Sequence, residues 1–145
     1  MSYSLKADIL TEISEEELIQ LTDDESAGIV NEVRVTAAIA KADRLIDSYC
    51  GQVETVPFTT IPDIIKEHSI TIAIYYLYSR RGVVPEIRKE NYKDAIAHLK
   101  DIATGKAVIG ATTEGEYDDE IKASGPEDEI TGENRIITKD KLENY

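Results

Sequence analysis

The sequence predicts an all-α protein: a compact bundle of four to five helices with an extended acidic C-terminal tail. Three observations lead there. Apolar residues recur every three or four positions through most of residues 1–105, as helical faces require. Capping and breaking residues flank those runs. Beyond residue 105 the periodicity gives way to acids and glycines. The reading is therefore a helical domain over 1–105 and an acidic extended tail over 106–145.

The first segment, SLKADILTEI, places Leu5, Ile9 and Ile13 four apart on one short helical stripe. ISEEEL then reads as a helix start. Ser14 is the cap, Glu17 reaches back to the cap amide, and Ile13 with Leu18 forms the apolar staple. A loop through Ala27-Gly28 precedes a long helix, roughly Asn31 to Tyr49, with Val35, Ile39, Ala42, Ile46 and Tyr49 on one face. Gly51 is the expected stop, and Val56-Pro57 marks an extended exit. ITIAIYYLY, Ile70 to Tyr78, is rich enough in β-branched and aromatic residues to suit a buried strand. Its flanks decide for a helix. Pro62-Asp63 suits a first turn, Arg80-Arg81 a last turn and Gly82 a stop, and the breaker-free span between is too long for an ordinary strand. Pro85-Glu86 opens a further helix with Tyr92, Ile96, Leu99 and Ala103 on one face and Gly105 at its end.

The tail from Ala111 to Tyr145 holds eleven acids and four bases, net −7. Its few large apolar residues are too sparse to order it alone in water. Arg135-Ile136-Ile137-Thr138 is its one β-prone island, a short strand near 135–138.

The whole chain carries net charge −13 over 145 residues. Such a balance opposes sequence-independent grip on nucleic acid, which depends on Lys and Arg neutralising phosphates, and opposes docking on anionic lipid. One cysteine, Cys50, excludes an internal disulfide framework and suits a reducing compartment. The residues after Met1 lack a basic region followed by an apolar core, so no secretory signal is expected. No apolar run reaches membrane-spanning length.

The search for chemistry starts in ADRLIDSYCGQVETVPF, where Asp43 and Asp47 stand at i, i+4 on one helical face. A catalytic pair would need one acid desolvated. With Lys41, Arg44 and Arg34 within reach, the pair reads as a solvated or salt-bridged surface. His68 and His98 lie on separate helices without metal-ligand spacing. Cys50 sits at a helix C-terminus, where the dipole disfavours a thiolate, so it reads as a packed thiol. GKAVIG, from Gly105, lacks the spacing of a phosphate loop. Asp118-Asp119-Glu120 and Glu127-Asp128-Glu129 lack the alternation of a calcium loop and read as solvated acids. Arg80-Arg81 reads as charge complementation at a helix end, and Tyr75, Tyr76 and Tyr78 as core and core rim. No catalytic, cofactor-binding or metal residue is assigned, and no enzyme is expected.

The order of features carries more. Tyr3 and Asp8-Ile9-Leu10 come first, then Glu17-Leu18-Ile19-Gln20-Leu21-Thr22-Asp23. Ala37 to Asp43 and Ile46-Asp47-Ser48-Tyr49 follow. Val56-Pro57, Pro62, Ile72-Ala73, Tyr76-Leu77, Tyr92, Ala95-Ile96 and Leu99 to Gly105 complete the series. In this order and spacing the chain resembles the small head–tail connector (neck or adaptor) proteins of tailed phages, specifically the family of Mu-like phages and prophages. The resemblance spans about residues 3–105, leaving the acidic tail outside. It departs after Tyr49, where Cys50 to Thr55 replace an arginine-tyrosine pair before Leu-Pro.

The resemblance implies a structural protein of the virion neck, made in the host cytoplasm. It implies a homo-oligomeric ring beneath the portal that joins capsid to tail and lets double-stranded DNA pass without specific binding. Its partners would be further copies of itself, the portal protein, and a tail-side neck or tail-terminator protein. No cofactor and no membrane are involved. Gln52, Val53 and Glu54 of the loop, with Arg135, Ile136 and Ile137 of the tail, are the expected interface residues, the latter adding a strand to an exposed sheet edge. The rival from composition is an acidic helical regulatory or inhibitory protein that binds a basic partner.

Overall fold

The computed structural model describes residues 1–110; the expected strand near 135–138, the acidic runs and Arg135, Ile136 and Ile137 lie outside the described residues. Five helices follow in order: α1 (Lys6–Glu12), α2 (Glu15–Thr22), α3 (Glu32–Cys50), α4 (Asp63–Arg81) and α5 (Glu86–Ala103). No strand occurs among the described residues.

The start of α1 differs from the expected stripe. Leu5 is its N-cap and stays 63% exposed, while Ile9 and Ile13 are buried. Asp8 explains the shift, because its carboxylate accepts the Leu5 N–H at 2.8 Å and fixes that residue as the cap. α2 begins as its sequence requires: Ser14 Oγ accepts the Glu17 N–H at 3.2 Å, and Ile13 and Leu18 are both buried. After α2 the Asp23 carboxylate gathers the N–H groups of Glu25, Ala27 and Gly28, ordering the loop into α3. Asn31 then caps α3 by accepting the Arg34 N–H.

α4 is the helix its flanks demanded. Pro62 precedes it, and Gly82 closes it at φ 80°, a left-handed position that favours glycine. Ile65, Ile72, Ala73, Ile74 and Leu77 are all at most 1% exposed. Burial on this wide face offsets the modest helix propensity of its β-branched residues. α4 packs most extensively against α3 and next against α5. The α4–α5 hairpin is antiparallel, with Tyr75 stacked on Tyr92 at 3.9 Å and His68 opposite His98. Leu99 and Ile102 carry α5 into the same core, and Ala107 and Ile109 still pack against it after the helix ends.

Gly51 ends α3 as expected, but without the left-handed turn usual for glycine there. It keeps a right-handed conformation, φ −62°, and the chain continues as a turn in which the N–H groups of Val53 and Glu54 donate to the Cys50 carbonyl.

Candidate functional site

The stretch that ends α3 holds a polar network whose parts come from four places in the chain. Asp43 is 8% exposed. One of its oxygens accepts from Ser2 Oγ and the Tyr3 N–H, both at 3.1 Å. The other accepts from Ser69 Oγ of α4 at 2.7 Å, and Ser69 Oγ lies 2.8 Å from Ser4 Oγ. This corrects the solvated-surface reading of Asp43 and Asp47. A buried carboxylate is tolerated where several donors replace its water, and here they come from 26 to 41 residues away. Local sequence around Asp43 holds no sign of them.

One turn later Asp47 accepts a short hydrogen bond from the Tyr3 hydroxyl. The same hydroxyl accepts the Phe58 N–H at 3.2 Å, and the two rings pack 5.6 Å apart. Burial, then the bond to Asp47, pushes the Tyr3 hydroxyl pKa well up, so it stays a donor. The two acids therefore clamp the N-terminal segment, and Tyr3 passes that clamp on to the end of the loop.

The loop from Gly51 to Phe58 is thus held at both ends. Cys50 at its base is fully buried, its thiol pushed up to about 11 by burial and the nearby Asp47 and Glu54. A Cβ on Gly51 would sit 2.8 Å from the Asp47 carbonyl and 3.2 Å from Val56 Cγ2, so glycine is needed for this close approach. Val56–Pro57 is cis, and Phe58 is buried. Between these anchors Gln52, Val53 and Glu54 are all exposed, with Val53 at 47%. The three loop residues expected at an interface therefore stand together on an anchored projection.

Arg80 and Arg81 do more than complement their own helix. They donate to the carbonyls of Gln20, Leu21 and Asp23, supplying the C-terminus of α2, which has no basic residue in its last turn. Tyr78 is buried, and Tyr75 and Tyr76 are half-buried beside Tyr92, with Lys41 over the Tyr76 ring. Lys106 is exposed just beyond α5. The two histidines, separate in sequence, face each other at 2.7 Å across the α4–α5 contact. Their positions 30 residues apart on different helices hid this. The antiparallel register of α4 and α5 was the available signal. Among the described residues no group of three or more His, Cys, Asp or Glu is arranged to hold a metal, and no helix is long and apolar enough to cross a membrane.

The model of the family described as Bacteriophage Mu, Gp36 matches residues 3–125. The chain belongs to that family. The match begins at Tyr3, whose hydroxyl joins α3 to the loop, and extends beyond residue 105 into the acidic segment, so the family relationship reaches further than the sequence resemblance did. A curated Gp36 relative, the Mu-like prophage FluMu protein gp36 of Haemophilus influenzae, is 30% identical over 87 residues. The matched region covers 60% of this chain and 60% of that relative's length.

Proposed function

We propose that this Gp36-family protein is a structural head–tail connector. Its copies close into a ring beneath the portal, join capsid to tail, and leave a channel for DNA. The observation that carries the reading is the Gp36-family match through the whole helical domain. The connector likeness of its ordered motifs gives that match a role. The anchored Gln52–Glu54 loop supplies a contact whose geometry is set before a partner arrives, which lowers the ordering cost of binding. Net charge −13 suits a channel that must not hold phosphates.

Light scattering over a concentration series, with electron micrographs of the same sample and of a mixture with the cognate portal, tests the proposal. Closed rings, alone or on the portal, support it. A protein that stays monomeric and also leaves the portal bare contradicts it. The charge equally suits an acidic regulator, which would instead bind a basic DNA-binding protein at low salt and release it at high salt.

A further inference from the structure

We propose that His68 and His98 form a two-histidine clamp for a divalent transition-metal ion, tying α4 to α5. They are the only histidines of the chain, and the fold brings His68 Nε2 to 2.7 Å from His98 Nδ1, with the rings near perpendicular at 71°. At this separation one ring nitrogen donates its N–H and the other accepts it. A divalent ion between the rings would displace that proton and take a lone pair from each nitrogen. Zinc–imidazole bonds of 2.0–2.1 Å in tetrahedral geometry need the nitrogens about 3.3 Å apart. Binding therefore requires the two nitrogens to move about 0.6 Å further apart.

The surroundings favour a cation. The pair lies in a groove of about 360 Å³ lined by Glu67, Thr71, Asn91 and Asp94, with two carboxylates and no Lys or Arg. The groove is shallow and open to solvent, so water would complete the coordination that two protein nitrogens begin. Asp94 is one helical turn before His98 on α5, at the i, i+4 spacing that puts both on one face. His68 is buried at 9% exposure while His98 is half-buried, so the site has one fixed and one adjustable ligand. Imidazole donors select zinc, nickel and copper over magnesium and calcium. Binding to the folded state alone stabilises it by mass action.

Thermal melts of the full-length chain at neutral pH, with zinc, nickel or magnesium chloride, provide the test. Zinc and nickel should raise the Tm and magnesium should not, and H98A should fold yet lose the rise. The histidine ring resonances should move on zinc addition, and H68Q should likewise lose the rise in Tm. An unchanged Tm and unmoved resonances in the native chain overturn the clamp. So does a zinc response that H98A keeps in full, which would place the ion on the acids of the chain.

Discussion

Asp43 and Asp24 are both carboxylates that collect several donors from distant positions, yet they stand at opposite extremes of solvation. Asp43 is sealed in the α3–α4 seam and held by two hydroxyls and a backbone N–H, all uncharged. Asp24 lies at the exposed α2–α3 corner and takes guanidinium groups from Arg34 and Arg81 at 3.0 Å and from Arg80 at 2.6 Å. Charge alone would rank Asp24 as the stronger anchor. Solvation reverses the order. Water and salt screen the corner ion pairs, whereas donors left unpaired in the seam have no water to turn to. The seam therefore sets the fold and the loop, and the corner adjusts them.

The sharpest way to break the comparison is Asp43→Ala. It strands the Tyr3 N–H and leaves the buried Ser4–Ser69 hydroxyl pair one acceptor short, and we expect a loss of about 3 kcal/mol, read by denaturant unfolding. Tyr3→Phe comes next. It keeps the ring against Phe58 but removes the hydroxyl that joins Asp47 to the Phe58 N–H. The expected cost is about 1–2 kcal/mol, with faster hydrogen exchange at the Phe58 amide. Ser14→Ala removes the α2 cap and should cost about 1 kcal/mol, visible as a lowered urea midpoint without a change in slope.

Asp24→Asn should have the smallest effect at neutral pH, and added salt should shrink it further. Its pH dependence has a definite sign. The Arg80 bond, then the charges of Arg34, Arg80 and Arg81, hold the Asp24 carboxyl below the usual range. Folding thus lowers its pKa. The stability it adds is fully present above the ordinary carboxylate pKa of about 4 and is lost as pH falls through the lowered folded value. The native chain and D24N should differ at pH 7 and converge in strong acid. A gap that stays constant to the lowest pH would contradict the ion-pair account of the corner.

The contrast also explains what was legible in the sequence. Helix positions were, because periodicity and caps are local: Ser14 and Gly82 act where their neighbours said they would. The α4 segment read correctly despite its β-branched residues because its breakers outweighed its propensity. The candidate site was legible only in part. Gln52, Val53 and Glu54 stand exposed as expected of a loop. The roles of Asp43 and Asp47 were not legible, since their partners Ser2, Tyr3 and Ser69 lie far away in the chain. His68 and His98 failed for the same reason. Side-chain convergence between distant helices depends on register, which no local spacing encodes. Leu5 was misplaced by a single residue because Asp8 capping outweighed the apolar stripe.

We propose the anchored loop as the assembly surface. Val53→Asp tests it most directly, since the Val53 side chain is 47% exposed and its bond to the Cys50 carbonyl is made by the backbone, which the substitution keeps. Particle sizes of native and V53D protein, each mixed with the portal, should be compared by electron microscopy, with melting curves confirming the fold. We expect V53D to melt like the native chain and to leave portals bare. Rings on the portal as abundant as those of the native chain would contradict the claim.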